Sequence, residues 1–540
     1  MENRKQTKLL GWILCVAVVI CCYHLGQRAL WDPDEGRYAE IARGILVEND
    51  WMTPHLNYLL YFEKPMMFMW MVAASFKIFG FSEWAARLIP CLSALGGIAL
   101  IWLMARDLWG NRAGIVASLS LITSIEYFIL ARTVDINMTL TLFITATMVF
   151  FWLGHKQGKG TYYLLAWACA GLAVLTKGPI GVILPLGGIG LYIIITRQWS
   201  SIKESMPIVG IMVFLAVSLP WYVTVCLKNP DFFSFFFIDQ NIMRYVTNEC
   251  RRYQPWWYFF PVIIGGFLPW SVLIPEAIRR AFTGKGNRKV PGEIWYIASW
   301  FGVIFLFFSL SNSKVATYVL PCFPPLSLFI GYLFRENYKR SSIGFICAAF
   351  LWLVLGAGLI LYPELVSGGI LKVSDNLVPL MDIGCIMGVI ILVGTFAGVW
   401  LGKRYNAVAG FACLGIAFMI VVISFAPRWD YLRSTKALIH HVPEDARLCA
   451  YVRYFPSSSF YAERRVYLVD SRGELVFGQA RCTEKEYIMT RPEFYTFMKQ
   501  ERNVYCLAYD KYLGLIKENV PGLVMAGHKG DLWLVRGPKE

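Results

Sequence analysis

Long apolar runs dominate this sequence and leave few folds open to it. The 540 residues are 57% hydrophobic and 16% charged, with a mean hydropathy of +0.51. A soluble domain of average composition carries about 25% charged residues. Because an apolar helix of roughly 17–25 residues is long enough to cross a bilayer, the repeated runs predict a helical protein that spans a membrane many times.

Fourteen apolar segments can be marked between residues 9 and 426, and we interpret thirteen of them as spans. The exception, 65–80, is short and contains Lys77. If this segment also crossed, the later basic loops would face the side opposite Arg4 and Lys5. If it lies flat on the membrane, all of these loops face the cytoplasm, as the positive-inside rule favours. The predicted spans are 9–26, 88–105, 113–130, 137–154, 162–176, 179–196, 206–226, 257–276, 293–310, 316–334, 343–362, 383–402 and 406–426.

An odd number of spans places the two termini on opposite sides, the N-terminus in the cytoplasm and the C-terminus outside it. We therefore predict a membrane domain over 1–427, with outer loops at 27–87 and 227–256. In the tail, 428–540, short alternating or β-rich runs are separated by polar stretches. This change of pattern predicts a small soluble α/β domain.

Charge and cysteine usage exclude two classes of function. The net charge is +15, but the basic residues are distributed among short loops, which is typical of membrane topology rather than of nucleic-acid binding. Most of the fourteen cysteines lie inside apolar runs, and the six histidines show no ligand spacing. A Cys/His metal site is therefore not expected. The sequence leaves open whether any two of Cys449, Cys482 and Cys506 are bonded.

Acidic residues are concentrated in 31–40, directly after the first predicted span. Asp32, with Pro33 after it and Glu35 three positions on, resembles an N-terminal capping box. Asp34 either favours the helix dipole or acts in catalysis. Because carboxylates beside a bilayer are costly unless something cationic or catalytic uses them, this segment indicates chemistry at the membrane face on a charged, lipid-borne substrate.

Other polar residues are predicted on the same outer side. Glu63 and Lys64 open the segment 65–80, either as a helix start with a snorkelling lysine or as a phosphate-gripping lysine with a glutamate near a sugar or a metal. Asp135 lies in a short turn between two spans, where it is either a simple polar residue or a catalytic acid. Lys314 and Tyr318 form either a polar turn or a second phosphate contact.

Three arginines, Arg244, Arg251 and Arg252, belong to the outer loop 227–256 and run against the positive-inside trend. Anionic head groups give a reason for them, since guanidinium binds phosphate in bidentate fashion. Carboxylates together with these cations imply an amphiphilic substrate that carries a phosphate and a sugar.

Several of these stretches, taken together, resemble the GT-C lipid-linked glycosyltransferases. They are Trp31 to Glu40, Phe62 to Pro65, Arg132 to Asp135, Lys314 to Pro321 and the loop around Arg244. Within that class the chain looks like the bacterial transferases that move 4-amino-4-deoxy-L-arabinose from undecaprenyl phosphate to lipid A. The acidic stretch alone is shared with protein O-mannosyltransferases.

The resemblance implies a thirteen-span bundle with a periplasmic C-terminal α/β domain, in the inner membrane of a Gram-negative bacterium. It implies an inverting transfer at the periplasmic face that confers resistance to polymyxin and other cationic antimicrobial peptides. The expected partners are the undecaprenyl phosphate-linked amino sugar, lipid A and the bilayer, and no nucleic acid.

The resemblance also implies roles for individual residues. Asp34 and Asp135 would be the catalytic or sugar-orienting acids, and Glu63 would lie near a divalent metal ion. Glu35 and Arg37 are predicted to bind or orient the sugar. The residues predicted to contact the substrate phosphate are Lys64, Arg244, Tyr318, Lys314, Arg251 and Arg252.

Two alternatives remain at this point. A related transferase could use another polyprenyl-phosphate sugar or a protein acceptor. A transporter or flippase is a different class, but transporters tend to show repeats and charges buried in mid-span. Here the charges lie at the outer rim of the predicted bundle, with Glu126 the main exception.

Overall fold

The structure is a computed structural model, and it describes residues 17–246, 253–283, 290–336, 342–367, 379–404, 407–471 and 473–539. The chain divides into two compact units. The first comprises the described residues of 1–23, 88–372 and 380–424. The second joins His24–Arg87 to Phe425–Glu540. The predicted division differs in one respect, since it placed the acidic loop with the spans rather than with the tail.

Helices make up the first unit. Among the described residues, eight helices are long and apolar enough to cross a membrane, or up to ten if each of two bent pairs is one span. The helices from residue 83 to residue 425 are Glu83–Trp109, Asn111–Ile122, Ile125–Ala131, Ile136–Gln157, Gly160–Lys177, Ile180–Thr196, Ser200–Glu204, Pro207–Lys228, Ser234–Met243, Arg244–Val246, Phe259–Gly266, Trp270–Leu273, Ile274–Thr283, Gly292–Leu310, Ala316–Cys322, Phe323–Leu333, Ser342–Ser367, Pro379–Arg404 and Ala407–Phe425. The prediction of a polytopic helical membrane protein is confirmed, while the count of thirteen spans stays a prediction.

Two of the predicted spans are broken helices. The segment 113–130 bends by 69° between Asn111–Ile122 and Ile125–Ala131. At this bend Thr123 and Ser124 donate their side-chain hydroxyls to the carbonyls of Leu119 and Leu121, and such bonds compete with the helical ladder. The segment 257–276 bends by 108° near Pro269, which has no N–H to continue a helix.

The segment predicted to lie flat forms a helix over Met67–Phe79, which belongs to the second unit. Its 13 residues correspond to about 20 Å, shorter than a hydrocarbon core of about 30 Å. The length therefore agrees with the interpretation of this segment as one that does not cross.

The tail folds as a six-stranded mixed sheet with helices between its strands, which confirms the predicted α/β domain. A separate two-stranded hairpin, β1 (His55–Leu56) and β2 (Leu59–Leu60), lies in the acidic loop. The order of the large sheet is β5-β4-β3-β6-β8-β7. The pairs β5–β4, β4–β3 and β3–β6 are parallel, and β8 pairs antiparallel with β6 and β7. Its strands are β3 (Arg447–Tyr451), β4 (Tyr467–Val469), β5 (Ile488–Met489), β6 (Val504–Tyr509), β7 (Val524–Lys529) and β8 (Leu532–Arg536).

The core of this domain lies between the sheet and the helices Arg491–Gln500 and Asp510–Asn519. Cys449 and Cys506 are opposite each other on the neighbouring strands β3 and β6, and both are buried free thiols. Cys482 is also free. The core residues include Tyr451, Val469, Phe494, Met498, Leu513, Ile516, Val520 and Val535.

The acidic loop and the tail are joined by direct hydrogen bonds. Asp430 accepts from the backbone N–H of Ala29 at 2.7 Å and from Trp31 Nε1 at 2.6 Å. Asn57, at the turn of the β1–β2 hairpin, donates to the carbonyl of Val466 at 2.8 Å. Ser459 donates to Asn57 Oδ1 at 3.1 Å. These contacts explain why the loop separates from the spans and forms one unit with the tail.

A buried ion-pair cluster anchors the start of the acidic segment. Glu35 is 1% exposed, and its carboxylate lies 2.9 Å from guanidinium nitrogens of both Arg28 and Arg87. Its Oε2 also accepts from the backbone N–H of Trp31 at 3.0 Å. Arg87 donates further to the carbonyls of Arg28 and Ala29. Because each charge in the cluster has a partner, removal of one partner would leave an uncompensated charge in a buried site.

We expect Arg87→Ala to lower the free energy of unfolding by about 3–5 kcal/mol, because it removes one partner of a buried carboxylate. Arg447→Ala is the matched control, since its partner Glu501 is 45% exposed and an exposed pair contributes less than about 1 kcal/mol. Chemical denaturation of both variants in detergent measures the difference. Equal losses in the two variants would contradict the structural role of the cluster.

Candidate active site

Asp34 is the most exposed carboxylate of the acidic segment, and it begins the helix Asp34–Val47. Its side chain is 56% exposed, and its Oδ1 accepts from Arg37 Nη1 at 3.0 Å. The predicted capping box is wrong, because Pro33 is the N-cap residue and no side chain caps this helix. Asp34 is therefore held from one turn further along the helix and remains open to a ligand.

Asp32 has a different task from the predicted helix cap. Its carboxylate accepts from the backbone N–H of Ser457 at 2.8 Å and from the Ser457 hydroxyl. Burial raises the pKa of Asp32 to about 6, although these two hydrogen bonds act in the opposite direction. Asp32 thus ties the acidic segment to the helix Pro456–Ala462 of the C-terminal domain.

Arg37 joins two acids. Its Nε lies 2.6 Å from Oε2 of Glu474, in addition to its contact with Asp34, and its side chain is only 12% exposed. Burial raises the pKa of Glu474 to about 7, with Arg37 lowering it and the nearby Glu63 and Asp34 raising it. Sequence reasoning missed Glu474, since a single acid in a soluble tail shows no pattern that separates it from its neighbours.

Glu35, predicted to bind or orient the sugar, is instead enclosed by the ion-pair cluster described above. At 1% exposure its oxygens are not available to a ligand. We therefore do not carry the sugar-orienting role of Glu35 forward.

Glu63, Lys64 and Tyr61 follow the β1–β2 hairpin. Lys64 and Glu63 are both half-buried, and Lys64 Nζ donates to the carbonyl of Glu63 at 2.8 Å. Tyr61 is buried, and its hydroxyl has no hydrogen-bond partner among the described residues. In the same described part of the chain, no three Asp, Glu, His or Cys side chains are placed to hold a metal ion. Among these residues Glu63 is not joined by a set of metal ligands, so the metal stays a prediction and we derive no step through it.

In the first unit, Asp135 is the N-cap of the helix Ile136–Gln157. Its Oδ1 accepts from the backbone N–H of Asn137 at 2.6 Å, and its side chain is 8% exposed. The Asn137 side chain then connects two further residues, accepting from Lys177 and donating to Thr317 at 3.0 Å. Asp135 thus has a structural role as a helix cap, and its catalytic role stays a prediction.

Lys177 and Tyr318 meet beside this cap. Lys177 is the last residue of the helix Gly160–Lys177, where the helix dipole favours a cation. Its Nζ lies 4.2 Å from the ring centroid of Tyr318, and the lysine is 9% exposed. The structure therefore brings Tyr318 and Asp135, two of the predicted site residues, into one network. The sequence feature that could have identified Lys177 as a site residue is its position: it is a cation at the end of an apolar helix, on the predicted outer side.

The remaining residues predicted to bind phosphate differ in their exposure and in their hydrogen-bond partners. Arg244 is half-buried and donates to Gln240 Oε1 at 3.1 Å. Lys314 is 6% exposed, and its Nζ donates to the carbonyls of Gln254 and Ser311. Burial lowers the pKa of Lys314. Lys314 thus stabilises its own turn, which was the alternative reading of that segment. Arg251 and Arg252 lie outside the described residues.

Comparisons with known proteins show which proteins this chain resembles. Residues 63–223 match the family model described as dolichyl-phosphate-mannose-protein mannosyltransferase. The undecaprenyl phosphate-alpha-4-amino-4-deoxy-L-arabinose arabinosyl transferase of Edwardsiella ictaluri is 29% identical over 98% of this chain and 99% of its own length. A second such transferase, from Proteus mirabilis, is 34% identical over 61% of this chain and 60% of its own. The crystal structure of ArnT from Cupriavidus metallidurans bound to undecaprenyl phosphate superposes with a TM-score of 0.86, at 26% identity over 97% of this chain and 98% of that one.

The fold and these similarities together define a multi-span membrane enzyme, a glycosyltransferase of the GT-C class. Within that class the chain is similar from end to end to the undecaprenyl phosphate-aminoarabinose arabinosyl transferases.

We expect Asp135→Asn to fold normally and to lose sugar transfer. Asparagine caps a helix as well as aspartate does, whereas Asp135→Ala should cost about 0.5–2 kcal/mol of stability. Thermal unfolding and a transfer assay on both variants separate the two roles. If Asp135→Asn keeps its activity, the acid is a cap and nothing more.

We also expect Asp32→Asn to remove a pH-dependent contribution to stability. The pKa of Asp32 is about 6 in the folded protein and 3.8 ordinarily, so the folded state binds this proton more tightly than the unfolded chain. The contribution of Asp32 to the free energy of unfolding therefore falls as the pH rises from about 4 to 6. Melting temperatures measured across this range should shift in favour of the variant as the pH rises. A constant difference between the two proteins would refute this.

Proposed function

We propose that this protein transfers 4-amino-4-deoxy-L-arabinose from undecaprenyl phosphate to a phosphate of lipid A. The observation that carries the proposal is the end-to-end similarity to a structure bound to undecaprenyl phosphate, at a TM-score of 0.86. The reaction takes place at the periplasmic face of the inner membrane, with the N-terminus in the cytoplasm and the C-terminal domain in the periplasm. Its product confers resistance to polymyxin and related cationic peptides by lowering the negative charge of lipid A.

The donor phosphate is the leaving group of the transfer. Its proposed ligands are Lys64, Arg244 and Tyr318, because cations and hydrogen-bond donors stabilise the negative charge that develops on a leaving phosphate. Lys177 adds a positive charge beside Tyr318, because its ammonium group packs on the Tyr318 ring. Fixed charges in a partly dry site stabilise a developing anion more than mobile water does.

The two acids are not needed as general bases. The acceptor is a phosphate, which is already largely ionised near neutral pH, unlike a serine hydroxyl. Asp34, which is 56% exposed, pairs with the 4-ammonium group of the sugar. Asp135 stabilises the positive charge of an oxocarbenium-like transition state. The inverting displacement breaks the bond from the sugar to the donor phosphate and forms one to the acceptor phosphate.

A related transferase with another polyprenyl-phosphate sugar or a protein acceptor is the second candidate. The observation that favours it is the match of 63–223 to the mannosyltransferase family model. That match covers Lys64, which is proposed to bind the donor phosphate, together with Glu63 and Asp135, but it does not cover Asp34. It therefore supports a polyprenyl-phosphate donor more directly than any particular acceptor.

Mass spectrometry of lipid A tests the proposal. The host is a Gram-negative strain that makes the undecaprenyl donor but lacks its own aminoarabinose transferase. We expect one aminopentose to be added when the wild-type chain is expressed and none with Asp34→Asn at equal expression. Unmodified lipid A with an inserted wild-type protein would favour the second candidate.

The assignment of Asp34 to the ammonium group has its own test. On a donor whose 4-amino group is N-formylated, the sugar carries no charge for Asp34 to pair with. The rate of Asp34→Asn relative to wild type should therefore rise at least tenfold between the amino and the formylated donor, about 1.4 kcal/mol, while that of Asp135→Asn should not change. If neither variant recovers, the ammonium pairing is wrong.

A further inference from the structure

Besides Asp430, the C-terminal domain places Glu474 against the acidic segment, and the proposed mechanism does not use Glu474. Glu474 lies just before the helix Val476–Arg481. Its Oε2 is 2.6 Å from Arg37 Nε, and Nη1 of the same guanidinium is 3.0 Å from Asp34 Oδ1. A single arginine thus connects the exposed acid proposed to meet the sugar with the soluble domain.

The exposed fractions of the three side chains indicate which of the two contacts, Arg37 with Glu474 or Arg37 with Asp34, holds the guanidinium in place. Asp34 is 56% exposed, Glu474 is 20% exposed and Arg37 is 12% exposed. An exposed ion pair at i and i+3 on a helix is weak, too weak to hold a mobile carboxylate in one orientation. The partly buried contact with Glu474 is screened less by water and salt. It therefore holds the guanidinium, and the guanidinium in turn holds Asp34.

The backbone on both sides of this contact is closely packed, so the ion pair joins fixed points. A Cβ on Gly36 would lie 2.5 Å from the backbone nitrogen of Ser457, and one on Gly478 would lie 2.6 Å from the carbonyl oxygen of Leu60. The rings of Phe62 and Phe477 pack edge to face at 5.5 Å. Glycine is needed at these two positions because the chains approach too closely for any side chain.

We infer that Glu474 is a positioning residue for the transfer reaction: acting through Arg37, it holds the Asp34 carboxylate in its reactive orientation and makes the C-terminal domain part of the active site. The inference rests on the proposed function for what Asp34 does, but the contact itself does not depend on the identity of the sugar.

The charges around Glu474 make this contact sensitive to pH. Arg37 favours its ionised form, while burial and the nearby acids Glu63, Asp34 and Asp32 favour the protonated form, and its pKa is about 7. Glu474 loses its charge as the pH falls through this value, and the hold on Arg37 weakens. The acceptor phosphate and Asp32 also titrate on the acid side, so a variant that lacks only the Glu474 charge is needed to separate the effects.

The test compares Glu474→Gln with Glu474→Asp, and with Glu501→Gln as the matched control. Glu501 also pairs with an arginine of the C-terminal domain, but that pair is exposed. For the transfer reaction we expect kcat of Glu474→Gln to fall about tenfold, while KM for the donor stays within about twofold, as for an interaction that acts in the transition state. Glu474→Asp should recover part of the loss, and Glu501→Gln should match wild type.

Two further measurements distinguish positioning from a general loss of structure. The first is the pH profile: the fall in kcat on the acid side of about pH 7 should be smaller in Glu474→Gln than in wild type. The second is the double variant with Arg37→Gln, which should be no slower than Arg37→Gln alone. A wild-type kcat and pH profile in Glu474→Gln, or additive losses in the double variant, would overturn the inference.

The outcome stays interpretable if the proposed function fails. If the wild-type chain transfers no aminopentose, hydrogen–deuterium exchange of the peptides over 30–47 decides the matter. Faster exchange in Glu474→Gln, but not in Glu501→Gln, would support positioning by Glu474. Unchanged exchange would overturn it, whatever the substrate of the enzyme is.

Discussion

The buried carboxylate of Glu35 is the interaction on which the acidic segment depends. Arg28 and Arg87 neutralise it, and the backbone N–H of Trp31 binds one of its oxygens. Since an unpaired charge could not remain buried there, the chain before the helix Asp34–Val47 is confined to a conformation that keeps all three partners in reach. Asp34, at the start of that helix, is exposed to solvent directly beside this anchored carboxylate.

The acids of the segment divide into two groups by burial. Glu35 and Asp32 face inward, the first paired with arginines and the second bound by Ser457. Asp34 faces outward and is bound by Arg37, which Glu474 holds from the C-terminal domain. Four carboxylates of the same chemistry therefore serve as anchor, tie, candidate reactive group and support. Their environments, not their residue types, assign these tasks.

Predictions from the sequence were most accurate for features that depend on a single physical requirement. Apolar length predicted the membrane helices and the change to alternating patterns predicted the α/β tail, because both follow from local composition. They were weakest at Asp32, where Pro33 and Glu35 imitated a capping box. At Lys314 they left two interpretations open, and the structure shows the ammonium group bound to carbonyls of its own turn and its neighbour. The partner of a polar side chain is chosen by tertiary proximity and not by spacing along the chain.

The sequence by itself determined that this chain crosses a membrane, that its tail folds separately from the spans, and that acids and cations of a lipid-linked transferase are present. These properties depend on the composition of each local stretch. Burial of apolar surface produces them without requiring any particular pair of distant residues to meet. Only the tertiary structure decided that the loop 24–87 belongs with the tail, that Lys177 joins Asp135 through Asn137, and that Glu474 meets Arg37. Such pairs are distant in the chain, and a charge finds its partner only when the packed backbone brings the two within a few ångströms.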